Sequence, residues 1–302
     1  MTRIACVLTI ALAACNGGDP TETGTDTDTD TNTTTGPTTF EDLVNTTDTP
    51  VGVLTCVPTD GTWLTQTVDT ALQTSGPQTL TVLDFESDVP LAEATVDVWY
   101  GDDATGIPDA SAVSDDAGEV SVTVPTCEPI SYKTWTDPEL DITRDTYEAH
   151  QIFAPGAAFD GSLNSVSDLT YKIIPGLLGV PIQPGMGIIA GTVFGCDDEK
   201  VEHAEVVVKN ADGTIPPDLR VKFFVNKFPN RDQQDTSPDG LWVAVNVPPG
   251  LVTAEAYTWN GTDHVVQGKT VVRSFPDSIN IGNIYAGFDT GVKYPAECLL
   301  AN

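Results

Sequence analysis

The chain has 302 residues, enough for two ordinary domains. Hydrophobic residues make up 40% of it, so most of the chain can bury a core, but the composition is not that of a membrane protein. Its formal net charge of −31 repels phosphates and anionic headgroups. That excludes nucleic acid as a partner and suits a solvated protein outside the cytoplasm.

Residues 1–15 read MTRIACVLTIALAAC. Arg3 and the amino terminus form a short positive region, and Ile4 to Ala14 an apolar one too short to span a bilayer. The segment ends in Leu12-Ala13-Ala14-Cys15, and the polar run Asn16-Gly17-Gly18-Asp19-Pro20 follows at once. It resembles a bacterial lipoprotein signal, whose last four residues form a lipobox. Small residues before the cut fit the peptidase, and the Cys15 thiol can be alkylated by a diacylglycerol donor. The resemblance implies cleavage before Cys15, acylation of the new amine, and a membrane partner held through the lipid. Each buried methylene of the anchor contributes about 0.8 kcal/mol. Losing residues 1–14 removes only Arg3 and makes the chain one unit more negative. Asn16 follows the cysteine where some inner-membrane lipoproteins carry Asp, so the resemblance points to the outer membrane, on its periplasmic or cell-surface side.

Residues 20–39 alternate threonine and aspartate and hold no apolar residue. With nothing to bury, disorder is expected in spite of the period of two. A tether of about 25 residues reaches on the order of 30 Å on average and about 80 Å when pulled straight. Asp26, Asp28 and Asp30 have the spacing of a calcium loop, but the glycine and closing glutamate of an EF-hand are missing. Segment 40–78 is expected to wrap the first module or add a strand to it.

Beyond residue 50, short β-rich runs alternate with Gly, Pro, Asp and Asn. The expected strands are Thr79–Phe85, Ala94–Tyr100, Glu119–Val124 and Ile130–Thr136, then Ile188–Phe194, Ala204–Lys209, Arg220–Val225, Leu241–Val247, Val252–Trp259, Val265–Arg273 and Ser278–Tyr285. Asp115-Asp116-Ala117-Gly118 and Ser237-Pro238-Asp239-Gly240 place Gly where a turn needs positive φ. No charge occurs between Lys172 and Asp197, but Pro175, Pro181 and Pro184 rule out a continuous membrane helix. Ser165-Val166-Ser167-Asp168 has the form of a capping box opening a short helix that Pro175 cuts short. Val166, Leu169, Ile173 and Leu177 are expected on its packing face.

The two sets of runs repeat one another. Pro90-Leu91-Ala92-Glu93-Ala94-Thr95-Val96-Asp97-Val98 matches Lys200-Val201-Glu202-His203-Ala204-Glu205-Val206-Val207-Val208. Ala117–Pro125 echoes Asp239–Pro248 with one residue inserted. These residues resemble the carboxypeptidase regulatory-like, or transthyretin-like, β-sandwich family over roughly 80–154 and 187–286. The second copy has Lys200 for the family's proline, and both copies lack the usual Gly before the Ala, carrying Glu93 and His203. The resemblance implies an all-β fold of tandem transthyretin-like or Ig-like antiparallel sandwiches. It also implies no catalysis, since the module is a non-catalytic appendage in the peptidases that name the family. The expected organisation is a signal at 1–14, lipidated Cys15 and tether over 15–49, sandwiches at 50–160 and 187–302, and a helical linker at 161–186.

Cys56, Cys127, Cys196 and Cys298 remain for disulfides in an oxidising compartment. Four cysteines allow three pairings. Chain order favours Cys56–Cys127 and Cys196–Cys298, each within one module. No CxxC spacing occurs and His150, His203 and His264 are scattered, so neither a metal nor any other cofactor is expected. No GxSxG elbow, P-loop or HExxH motif occurs, and the expectation is a protein that is not an enzyme. With Val96 and Val98 facing inward, period two sends Trp99 outward. With Leu241, Val243, Val245 and Val247 inward, Trp242 and Asn246 face out, and Tyr257 and Trp259 lie opposite Ala254 and Ala256. Trp99, Trp242, Tyr257 and Trp259 are therefore candidates for a ligand face of the sort that binds sugars. The expected role is display, scaffolding or adhesion at the cell envelope, with envelope proteins or glycans as partners. A carbohydrate-binding module is the second reading, and a hydrolase with an unrecognised carboxylate site the third.

Overall fold

A computed structural model of the chain describes residues 38–137, 142–156 and 162–300. The expected signal, Cys15 and the tether up to residue 37 lie outside the described residues. Helix α1 (Phe40–Leu43) is followed by β1 (Ser75–Asp84), β2 (Thr95–Tyr100), β3 (Ala110–Val113), β4 (Glu119–Pro125) and β5 (Pro129–Trp135). Next come β6 (Thr143–Arg144), β7 (Thr146–Ile152), β8 (Ser162–Ser167), α2 (Asp168–Leu177), β9 (Gly187–Phe194), β10 (Glu205–Asn210) and β11 (Arg220–Val225). The last are β12 (Phe228–Asn230), β13 (Leu241–Val247), β14 (Gly250–Trp259), β15 (His264–Ser274), β16 (Ile279–Ile281) and β17 (Ile284–Tyr285). The expected run Ser278–Tyr285 is thus split into β16 and β17.

The fold is all-β, with sandwiches built on a shared sheet. One long sheet runs β12-β11-β13-β9-β16-β7-β5-β2-β3. Sheet β4-β1-β8-β6 packs on its first-copy end and sheet β10-β14-β15 on its second-copy end. Leu80, Val82, Val96, Val98, Val122 and Tyr132 are among the residues filling the first core. Ile189, Val206, Phe223, Trp242, Ala254 and Val272 are among those filling the second. Strand β16 joins the halves by pairing in parallel with β7 on one side and β9 on the other.

The repeat is visible bond for bond. In the first copy Ala94 N–H donates to Ser114 Oγ at 3.0 Å, and that hydroxyl donates to Leu91 O at 2.6 Å. In the second, Ala204 N–H donates to Thr236 Oγ1 at 2.8 Å, and Thr236 Oγ1 donates to Val201 O at 2.7 Å. Glu93 and His203, at matching positions of the two copies, hold φ of 58° and 61°. Both copies thus hold, without glycine, a left-handed backbone that glycine adopts most readily. Gly118 and Gly240 also match, with φ of 75° and 65°. A Cβ on Gly118 would lie 2.8 Å from Pro90 Cβ, and one on Gly240 would lie 3.1 Å from Lys200 Cβ. Gly118 does not close a hairpin, however, because β3 and β4 belong to different sheets.

Segment 38–72 wraps the second module, not the first. Thr38 Oγ1 donates to Leu219 O, Val51 bridges to Glu202, Leu64 N–H donates to Gly287 O and Val68 bridges to Leu299. Only then does the chain enter the first sandwich through β1. Residues 38–49, expected in the tether, are therefore packed on the second sandwich, with Thr39 capping α1. The disulfides are Cys56–Cys196 and Cys127–Cys298, so the pairings expected from chain order are corrected. The reason is the strap's path: it carries Cys56 to the second module, while Cys298 returns with the C-terminal segment to the turn after β4.

The expected linker is also part of the body. Strand β8 pairs in parallel with β1, and the helix starts two residues later than expected, with Ser167 Oγ accepting from Thr170 N–H at 3.0 Å. The helix runs through Pro175 to Leu177, and the N–H groups of Leu178, Gly179 and Val180 close its last turn. Its packing face is not the expected one. Leu169, Ile173 and Leu177 are 63%, 45% and 53% exposed, whereas Thr170, Tyr171 and Pro175 are buried. Val166 is buried, but as part of β8. Tyr171, Leu178 and Val180 form a third core with Val243 and Val245 on the outer face of the long sheet. Among the described residues no helix is long and apolar enough to cross a membrane.

Candidate functional site

The aromatic face expected from strand alternation does not form. Trp242 is fully buried in the second core beside Ala244, because the sandwich lies on that face of β13 and the helix-side core covers the other. Up to Val245 the inward and outward faces are the reverse of those expected, whereas beyond the bulge Val247 packs in the second core and Asn246 reaches Gln183 and Pro181 on the opposite side, as expected. Asn246 is left-handed at the bulge where β13 slips against β9. Trp99 is buried under its own following loop, with Nε1 donating to Gly106 O at 3.4 Å. Tyr257 does lie opposite Ala254 and Ala256, but the strap covers it, and Phe40 meets its ring edge-on at 5.1 Å. Trp259 is half-buried beside His264, ring centroids 5.0 Å apart. These four rings present no shared ligand surface.

A different aromatic residue faces an open hollow. Trp63, on the strap, joins Lys209 and Asn210 of β10, Thr253 and Glu255 of β14 and Lys269 of β15 around a space of about 290 Å³. Lys209 Nζ lies 2.5 Å and Lys269 Nζ 2.6 Å from the Glu255 carboxylate, and Lys269 sits 5.5 Å from the centre of the Trp63 ring. Burial pushes the Glu255 carboxyl up. Hydrogen bonds from Lys209, Lys269 and Tyr257 outweigh it and hold the group down at about 2. Each ammonium has three donors, so both lysines keep hydrogen-bonding capacity beyond Glu255. The hollow can take a small polar group against an indole wall. The sequence did not reveal it because its lining, which also includes Asp289, comes from five separate stretches and Trp63 reaches them only through the strap.

The histidines are less scattered than the sequence implies. His203 Nδ1 is 3.1 Å from Asp235 Oδ2 and 3.9 Å from Asp48 Oδ2. His264 Nε2 lies 2.7 Å from Thr46 O and 3.6 Å from Glu205 Oε2. His150 Nε2 lies 2.8 Å from Val271 O, at the seam between the copies. A second seam contact is the two-pronged pair of Arg273 with Asp103, at 2.7 and 2.6 Å. A deeper group sits in the first copy. Tyr132 donates to the buried Glu148 carboxylate, which Asn164 Nδ2 and Gln151 Nε2 also meet at 3.2 and 2.9 Å. Burial raises the Glu148 carboxyl above its ordinary range, against those bonds.

No protein-family model and no curated protein matches the chain. Among solved structures it is similar to the Bacillus anthracis TIE protein, at 15% identity and TM-score 0.25 over 70% of this chain and 33% of that chain. It is also similar to the shaft pilin SpaA of Lactobacillus rhamnosus GG, at 13% identity and TM-score 0.23 over 73% of this chain and 100% of that one. A minor pilin of Streptococcus agalactiae aligns at 10% identity and TM-score 0.23, over 74% and 100%. The match spans about a third of the TIE chain, and at these TM-scores none of the likenesses carries an argument about function.

Proposed function

We propose that the chain is a non-enzymatic, lipid-anchored protein of the cell envelope whose double sandwich serves display, scaffolding or adhesion. The observation that supports this best is mechanical. The strap and the C-terminal segment cross between copies, and Cys56–Cys196 and Cys127–Cys298 fasten both crossings. A body closed in this way holds whatever it carries at a fixed geometry, and disulfides persist in an oxidising compartment. The anchor is tested with Cys15→Ala in the full chain. The lipid reading expects the variant to lose incorporation of labelled fatty acid and to leave the membrane fraction. Retention of label in the variant overturns it.

A carbohydrate-binding role remains as a second reading, moved from the buried Trp242 to the hollow. Its motive is the Trp63 wall beside Lys209 and Lys269. Glycan and protein arrays probed with the full chain separate the two. The adhesion reading expects protein binding indifferent to Trp63→Ala, whereas the glycan reading expects retention that Trp63→Ala abolishes.

A further inference from the structure

The strap crosses the second sandwich over a set of side chains with the chemistry of a metal site. Asp48 lies on the strap, His203 precedes β10, and Asp235 precedes the Thr236 that fixes Ala204. One ligand atom from each lies within 4.8 Å of the others. The separations from His203 Nδ1, 3.1 and 3.9 Å, bracket the roughly 3.3 Å expected between ligands bound about 2.0–2.2 Å from a tetrahedral zinc ion. The carboxylate of Asp235 is already oriented, because Gln233 Nε2 donates to Oδ1 at 2.8 Å and Thr46 Oγ1 to Oδ2 at 3.0 Å. Such outer contacts fix a ligand before the ion arrives. Asp48 is exposed, which leaves a way in.

Two further observations point to a missing cation. Glu205, 1% exposed, meets the same Thr46: its Oε1 accepts from the Asn45 and Thr46 N–H groups, while its buried Oε2 makes no hydrogen bond and has only the His264 imidazole near it, 3.6 Å away. Among the described residues no lysine or arginine forms an ion pair with Asp48, Asp235 or Glu205. Negative charge is therefore concentrated at the strap crossing with only imidazoles beside it. The repeat supplies an internal control. By the shared hydrogen bonds, His203 and Asp235 correspond to Glu93 and Val113, both exposed in the first copy, where no strap crosses. The copies diverge toward ligand chemistry at the place where the strap brings Asp48.

We propose that Asp48, His203 and Asp235 form a site for a divalent ion of the zinc class that fastens the strap to the second sandwich. Bound there, the ion joins segment 45–51 to the entry of β10 beside the Val51–Glu202 bridge. The full, metal-free chain is titrated with Zn²⁺ by calorimetry at pH 7, and its thermal midpoint is read with Zn²⁺ and with chelator. Asp48→Asn removes an exposed ligand without disturbing the core, and His203→Asn keeps a residue that tolerates the left-handed backbone. The expected result is one saturable Zn²⁺ site, a midpoint raised by Zn²⁺, and affinity at least tenfold weaker in either variant. Unchanged affinity in both variants assigns the ion to other acidic residues and overturns the proposal. So does a preference for Ca²⁺ over Zn²⁺, since an imidazole ligand favours the softer ion.

Discussion

At the scale of single residues, the matched left-handed positions of the two copies are the clearest test of the repeat. Glu93 and His203 keep the left-handed backbone that a glycine would adopt without cost. For an L-residue that conformation costs roughly 1–2 kcal/mol, and glycine's extra unfolded-state freedom offsets about 0.5–1 of it. Glu93→Gly is therefore expected to raise stability by up to about 1 kcal/mol, read as a higher urea midpoint, while Glu93→Ala gains nothing. Glu148 gives a second residue-scale expectation. Its carboxyl is raised on folding, so it contributes stability that is fully present below its unfolded value and lost as pH rises through the folded one. Glu148→Gln keeps an acceptor for Tyr132 and Asn164 and removes the buried charge. The wild type is expected to lose on the order of 1 kcal/mol more than the variant between pH 4 and pH 8 in paired urea titrations. Equal losses would show that the carboxyl does not titrate there.

At the scale of elements, strand positions were legible and strand faces were not. Arg220–Val225 and Leu241–Val247 have the bounds that their apolar runs imply. The stretch Leu-Trp-Val-Ala-Val-Asn-Val, however, carries no polar residue before Asn246 to mark the solvent side. A strand buried on both faces has no parity to read. The cover on its second face is α2, whose own periodicity misled for the opposite reason: the Leu169, Ile173 and Leu177 stripe is apolar yet exposed, and Tyr171 does the packing. The candidate site was legible only in kind. A face of aromatic rings was expected, but the rings singled out are buried or turned against neighbours and the strap brings Trp63 instead. The contrast can be measured. Trp242→Ala is expected to cost about 3–5 kcal/mol, as for a large core side chain, whereas Leu169→Gln stays within about 0.5 kcal/mol of wild type. A Trp242→Ala protein as stable as wild type would return that ring to the list of ligand residues.

At the scale of the whole molecule, the repeat suggests two beads on a string, and the connections make one body. From Thr38 onward the described residues form a single compact unit. Nothing local to the cysteines could announce this, because their partners depend on where the strap and the C-terminal segment travel. The joint itself is short. Strand β16 spans Ile279–Ile281, pairs with both copies, and Ile279 N–H donates to Asp145 O at 3.0 Å. Arg273 with Asp103 and the Cys127–Cys298 bond reinforce it. A shared sheet makes the halves unfold together, since losing either one strips an edge from the other. Calorimetry of the oxidised wild type is therefore expected to show one transition. Ile279→Pro removes the N–H that reaches the first copy and cannot restore it by repacking. That variant, with the disulfides reduced, is expected to resolve into two transitions, the first-copy sandwich melting apart from the strapped second one. Reduced wild type should still melt as one, at lower temperature, because the sheet remains intact when the covalent ties are cut. Two transitions in the oxidised wild type would mean that β16 only touches the halves and does not couple them.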